Sequence, residues 1–345
     1  MAVHFLHPLP CPLAVLLVYL SRFPKIDEVF FTGIGFTHFG LLYHLVMLRI
    51  SCILSACLWG VSGAVGQYLF NQAGTSPEWL VSARCLLTGL LLLVFYQVKR
   101  GGVFSIWMER QDRIGIIIFA LGGMLFMQYG YFAAIVHSNA ATATVLQYTA
   151  PILIVVYLAF REKKLPTKLE CIAVFGCLVG TILLATHGNL KSLSLSPQAL
   201  FWGALSSLAL AFYTVYPVRL LAKYDAMLLI GWSMLVLSFV MHFVHPSWDY
   251  AGNWNTSTVL AMVFIVIFGT TIPYLMFLNG VKYIGPTKSS LYASAEPLAS
   301  TVVSVVWLKV HLEFIDYIGF VFIVAAVLLL SFVNPPQEEK PKETS

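Results

Sequence analysis

The chain has 345 residues, of which 59% are hydrophobic and only 10% charged. A soluble domain carries about 25% charged residues, so an ordinary soluble enzyme is excluded. At about 20 apolar residues per membrane-spanning helix, the chain could supply around ten spans joined by short loops, which makes it an all-α polytopic membrane protein.

Residues 1–48 are a leader that the span count leaves over. Val29–Leu48 is apolar enough to cross a membrane, but only Arg49 separates it from the next apolar run, which leaves no residues for a reversal. Three readings stand: an interfacial segment, a targeting leader with an apolar run over residues 11–20, or sequence upstream of a start at Met47. In the last, Met47-Leu48-Arg49 opens directly into the first span.

Uncharged apolar stretches follow at Ile50–Phe70, Pro77–Gln97, Ile114–Val136, Ala140–Phe160 and Leu169–Thr186. Five more lie at Gln198–Val218, Ala226–Val244, Thr256–Leu278, Thr287–Trp307 and Phe314–Val333. Stretches with Pro, Gly, Asn or charge separate them. Residues 334–345 are a polar tail. With the N-terminus in the cytoplasm, seventeen of the 20 Lys and Arg residues fall on that side and only Lys191 and Lys309 on the other, with Arg84 inside a span. This is a positive-inside pattern that puts both termini in the cytoplasm. The net charge of +5 is therefore a topology signal, and no nucleic-acid partner is required. The six cysteines have no metal-ligand spacing and read as small core-filling residues; no metal or cofactor is implied.

The chain matches itself without gaps at an offset of 146, from Tyr131–Thr186 to Phe277–Phe332. Pro151 falls on Pro297, Ala173 on Gly319 and Gly180 on Ala326. Residues 49–189 and 190–333 thus read as two repeats of five spans. Because five is odd, the second enters the membrane from the opposite face, an inverted pair in which a midplane site between halves is exposed alternately to each side.

Of 35 charged residues, only Arg84 and Glu296 fall well inside spans, where an ionisable group costs about 2.5–3.5 kcal/mol near the bilayer centre. Glu296 is ten residues past Pro286, roughly 15 Å along a helix, and Arg84 seven past Pro77, roughly 10 Å. Glu296 reads either as a proton-coupling carboxylate or partner for a substrate ammonium, or as a structural plug accepting bonds near the helix break. Arg84 reads as a structural or coupling group paired to carbonyls or a carboxylate. Ser289, Tyr292, Glu296 and Ser300 form one polar stripe by helical spacing, as do Thr144, Gln147, Tyr148 and Pro151. With Trp59, Gln128, Tyr213 and Tyr274, these supply aromatic and amide groups suited to an amphipathic solute; the alternative is interhelical hydrogen bonding. Gly60, Gly63 and Gly66 recur every three and read as close helix packing.

There is no HExxH, GxSxG or Walker A loop, and nothing supports an enzyme. The layout resembles the EamA-type branch of the drug/metabolite transporter superfamily. The likeness is carried by Leu58-Trp59-Gly60, Arg84, Asn139-Ala140-Ala141-Thr142-Ala143, Pro151, Glu162, Gly285-Pro286, Glu296-Pro297 and Gly319, over residues 48–333. It implies ten helices, an inverted repeat, a central cavity and transport of small metabolites such as amino acids. The stretches Thr186-His187-Gly188-Asn189 and Ala199-Leu200-Phe201-Trp202-Gly203 are similar to a bacterial inner-membrane subgroup. The expectation is a secondary transporter in the lipid bilayer, moving an amino acid or related solute outward by alternating access about Pro151 and Pro297, coupled to protons if to any ion. Import of a choline-like cation, a non-transporting scaffold and an unrecognised lipid enzyme are the alternatives. A homodimer is compatible with it.

Overall fold

A computed structural model describes residues 38–162, 167–186, 195–250, 252–293 and 295–331. Contacts divide the chain into residues 1–47 and 48–345; apart from the opening turns of the first helix, every element named below belongs to the second unit. The readings of the leader before residue 38 and of the tail lie outside the described residues.

All regular structure among the described residues is helical. The helix α1 (His38–Tyr68) runs unbroken through Arg49 and ends in a π turn, Leu69–Ala73. Next come α2 (Pro77–Arg100), α3 (Arg110–Ile118), a π turn at Phe119–Leu125, and α4 (Phe126–Val136). The helices α5 (Ala140–Gln147), α6 (Ala150–Glu162) and α7 (Lys168–Thr186) complete the first half. The second half has α8 (Pro197–Val215), α9 (Val218–Lys223), α10 (Ala226–Val244) and α11 (Thr256–Val266). A π turn at Ile267–Thr271 then leads to α12 (Ile272–Ile284), α13 (Pro286–Tyr292), α14 (Ala295–Val306) and α15 (Phe314–Ser331).

Among the described residues, six segments are long and apolar enough to cross a membrane: Val46–Ala73, Pro77–Arg100, Arg110–Val136, Pro197–Lys223, Ala226–Val244 and Thr256–Ile284. The stretches expected as fourth and ninth spans are each interrupted, α5 from α6 and α13 from α14. Local chemistry sets the starts. Ser76 and Ser196 precede Pro77 and Pro197, and their hydroxyls accept from the Trp79 and Ala199 amides; Asn139 and Asn255 cap α5 and α11 in the same way. A Pro at the first helical position loses only an amide that the helix leaves unpaired. Gly285 holds φ +86° between α12 and α13, a backbone that side-chain-bearing residues avoid.

Polarity runs inside out relative to a soluble protein. Val98 and Phe243 are 81% and 79% exposed on α2 and α10, while Arg84 and Glu296 are buried. An apolar outer surface of this extent suits lipid. Cys52 and Cys85 are buried as expected, but Cys171 stands exposed on α7.

The offset of 146 reappears in the helix bounds. It carries Ala140 of α5 onto Pro286 of α13, and Lys168 of α7 onto Phe314 of α15; in the same register the two helix interruptions fall within one residue of each other. Packing follows the same rule. The helix α2 packs on α10, its counterpart, and α7 on α15; the pair α4 with α8 is matched by α1 with α12. Gly180 sits against the Gly319 carbonyl and Gly60 against α14 at the Glu296 carbonyl and Ser300 amide, so small residues set the closest approaches.

Candidate functional site

A cavity of about 40 Å³ lies between the halves, lined by Trp59, Arg84, Gln128, Gln147, Tyr274 and Glu296 among the expected residues. At about 10–15 Å³ per water, it has room for roughly three. A smaller cavity of about 10 Å³ is bordered by Trp59, Tyr148 and Pro151.

The two interruptions meet beside these cavities. Tyr148 is the first residue past α5, and its hydroxyl donates to the Glu296 carboxylate at 2.9 Å. Glu296 lies in the first turn of α14, where the positive end of the helix dipole favours a carboxylate. Both residues are buried. A bond thus links the break in one half to the equivalent break in the other. The same break explains why Gln147 and Tyr148 part company: Gln147 donates to Ser206 Oγ at 2.6 Å and to the Met127 carbonyl at 3.3 Å, facing the larger cavity instead. Pro297 is buried directly after Glu296.

Arg84, projecting from α2, donates to the Gln128 carboxamide oxygen, and its guanidinium stands 4.4 Å above the Phe132 ring centroid. A buried cation over an aromatic face gains about 2 kcal/mol or more when desolvated. The Gln128 amide nitrogen in turn meets Met234 Sδ at 3.4 Å. No ion pair joins Arg84 to a carboxylate among the described residues, so one of the two sequence readings, pairing to a carboxylate, is absent here. The Trp59 ring meets Tyr274 edge-on at 5.0 Å and Phe277 at 5.3 Å.

Two of the residues expected to contact solute line neither cavity. Tyr213 is fully buried, stacked between Phe119 and Phe277 and edge-on behind Tyr274. Tyr292 ends α13 and does not line either cavity; helical spacing does not carry from it to Glu296 through the interruption. Sequence reasoning missed Ser62, Met127, Phe132 and Gly269 as lining residues and named Tyr131 only in passing. Ser62 had a signal, three residues after Trp59 on one helix. Gly269 had none, because a π turn carries it to the cavity. That turn is stabilised by Thr270 and Thr271, whose hydroxyls donate to the Ile265 and Val266 carbonyls at 2.7 Å each.

The model of the EamA-like transporter family matches residues 46–186 and again 197–332, two copies that together span most of the chain. The chain belongs to the EamA-like transporter family. Its 285-residue match to the uncharacterized inner membrane transporter YicL of Salmonella typhimurium is 38% identical and covers 82% of this transporter and 94% of YicL. An uncharacterized transporter of Archaeoglobus fulgidus is 23% identical, over 76% and 92% of the two chains. The uncharacterized inner membrane transporter YedA of Escherichia coli is 24% identical, over 74% and 81%. A crystal structure with 19% identity shares the fold at a TM-score of 0.59, covering 83% of this EamA-like transporter and 96% of that chain.

Beyond the cavity, the ends of the molecule close differently. At one, the buried Asp112 carboxylate of α3 accepts from Lys223 Nζ at 2.6 Å and from the Tyr224 hydroxyl at 2.7 Å, with Arg219 at 3.5 Å. Lys223 also pairs with Glu109 at 2.6 Å. Burial, and then the bond to Asp112, raises the Tyr224 hydroxyl pKa. At the other end, Trp79 of α2 meets Tyr250 at 4.6 Å and Trp254 at 6.0 Å, and its indole donates to the Ser247 carbonyl at 3.0 Å.

Proposed function

We propose that this EamA-like transporter moves a small amphipathic metabolite of amino-acid type out of a bacterial cell across the inner membrane, by alternating access with proton coupling through Glu296. The observation that carries the reading is the bond from Tyr148 to Glu296, which ties two equivalent helix interruptions together beside a polar cavity between the halves. Interrupted helices at the midplane are where secondary transporters build solute and ion sites. Ten crossings are the natural count: the interrupted pairs α5/α6 and α13/α14 supply the fourth and ninth. The helices α7 and α15, at 19 and 18 residues, measure roughly 28 and 27 Å at 1.5 Å per residue, close to the ~30 Å of a hydrocarbon core. The packing of α2 on α10 and α7 on α15 supports an inverted five-plus-five pair hinging about Pro151 and Pro297, and the positive-inside count supports cytoplasmic termini. The inner-membrane location rests on the name of the Salmonella relative, and export on the family resemblance.

The cavity is too small for a metabolite as it stands, which suits a state between openings. In that state Trp59, Gln147 and Tyr274 are the walls a solute would press apart, and the Tyr148 bond to Glu296 is the contact a proton or solute would compete with. The test is solute flux in reconstituted vesicles with an imposed proton gradient. Native protein is expected to move amino acids with gradient dependence, and Glu296→Gln to lose that dependence. Unchanged coupling in Glu296→Gln would end the proton role, and no flux of any metabolite by folded protein would end the transport reading.

A further inference from the structure

The central cavity is lined by one basic and one acidic side chain, Arg84 and Glu296, and no ion pair joins them. Arg84 is 4% exposed, bonded to the neutral Gln128 carboxamide and set over the Phe132 ring, with no carboxylate paired to it among the described residues. Its Nε has no acceptor there, and on the same cavity neither does Trp59 Nε1 nor Ser62 Oγ. A buried donor without an acceptor forfeits the hydrogen bond it had in water, and three on one small cavity form a surface that seeks an anion with several lone pairs. Glu296 is the opposite case. When ionised, as it would be opposite an ammonium, its carboxylate offers about four lone-pair sites, and the Tyr148 hydroxyl occupies one.

Resting on the transporter reading above, we infer that the cavity is a two-pole receptor for a zwitterion, in which Arg84, Trp59 and Ser62 hold the solute's carboxylate and Glu296 its ammonium. A choline-like cation would bring a second positive charge beside Arg84 and leave the three donors empty. A simple carboxylate would satisfy the donors but set a like charge near Glu296. A net-neutral solute with separated charges meets both poles, and the Trp59–Tyr274 wall takes its apolar part. Arg84 thereby changes from a structural pair into a binding residue.

The experiment is counterflow of leucine in proteoliposomes, with leucine, leucine methyl ester, N-acetylleucine and choline as competitors. For native protein, leucine is expected to compete at least tenfold better than the ester, which lacks the carboxylate, and than N-acetylleucine, which lacks the ammonium. Arg84→Gln is expected to weaken leucine at least tenfold while leaving the ester unchanged. Trp59→Phe, which keeps an aromatic ring and deletes the N–H, should weaken leucine several-fold and also spare the ester. Equal competition by leucine and its methyl ester on native protein overturns the assignment, as does an Arg84→Gln loss that falls equally on both. Counterflow of nucleosides or choline without counterflow of zwitterions overturns the two poles but leaves the transporter standing; counterflow of nothing overturns both.

Discussion

Replacing Gly60 by Ala tests the contact that holds the two halves against the cavity. A Cβ at Gly60 would lie 2.7 Å from the Glu296 carbonyl oxygen and 2.7 Å from the Ser300 amide nitrogen, both backbone atoms of α14, and 2.9 Å from Ala299 Cβ. Backbone cannot swing aside as a side chain can. To restore ordinary contact near 3.5 Å, α1 and α14 must separate by about 0.8 Å. Overpacking of this kind costs about 1–3 kcal/mol, offset by the roughly 0.5–1 kcal/mol that Ala gains over Gly inside a helix. A net loss of about 1–2 kcal/mol is expected, read as a thermal midpoint lowered by roughly 2–4 °C per kcal/mol in detergent. Flux should fall further than stability suggests, because α1 carries Trp59 and Ser62 and α14 carries Glu296 to one cavity; misplacement near 1 Å can cost about 10²-fold in a positioned reaction. The control is Gly176→Ala, whose nearest neighbour would be Ala326 Cβ at 3.6 Å, an ordinary contact, so that change should be neutral or stabilising. If Gly60→Ala matches Gly176→Ala in midpoint and in flux, the close approach of α1 to α14 does not control the site.

The same packing yields three further expected outcomes. Asp112→Asn removes the anion shared by Lys223, Arg219 and Tyr224, so tryptic cleavage after Arg219 or Lys223 in vesicles with that face outward should quicken several-fold; an unchanged rate would mean that the cluster does not hold α9 to α3. Thr270→Val or Thr271→Val leaves a buried carbonyl at the end of α11 without its hydroxyl donor, costing about 1–2 kcal/mol each, whereas Ser at either position should keep most of the stability; equal midpoints for Val and Ser would rule out the hydrogen-bond account. Trp79→Phe should cost only about 1 kcal/mol, the indole bond to Ser247, while Trp79→Ala, which empties the ring site against Tyr250 and Trp254, should cost about 3–5 kcal/mol, and near-equal losses would contradict an aromatic seal.

Most of the helix boundaries were legible because caps and prolines act locally: Ser76-Pro77, Ser196-Pro197 and Asn139 each start a helix where their chemistry places it. The self-match at 146 also carried real information, since it brings one interruption within a residue of the other. Less legible was what an interruption does to a face. The stripes Thr144–Gln147–Tyr148–Pro151 and Ser289–Tyr292–Glu296–Ser300 assumed unbroken helices; a turn of irregular backbone inside each sends Gln147 and Tyr148 to different cavities and leaves Tyr292 off both. The π turns were illegible for a related reason. Widening a helix by one residue per turn is favoured only when its neighbours fill the space and hydroxyls such as Thr270 and Thr271 take up the freed carbonyls, a tertiary condition that periodicity does not encode. Glu296 and Arg84 were found because charge in an apolar span is rare. Their neutral partners Gln128 and Tyr148 were named on weaker grounds, while Ser62 was passed over, since a single serine in a membrane helix usually bonds its own backbone.

Under the alternating access proposed above, the two ends of the molecule would differ in what opens them. At the end holding Asp112, closure depends on charge: Lys223 is 44% exposed and Arg219 71%, so the cationic partners are partly hydrated and the pairs are weakened by salt. At the end holding Trp79, closure is aromatic packing with one indole bond and the Ser82–Ser247 hydroxyl contact at 2.8 Å, which exposes apolar surface when it parts and is indifferent to salt. Opening the charged end should therefore become easier as ionic strength rises, and opening the aromatic end should not. A cycle limited by the charged end would run faster in high salt on both sides of the vesicle, one limited by the aromatic end would not change, and the Trp79 and Asp112 variants would then reverse their order of effect.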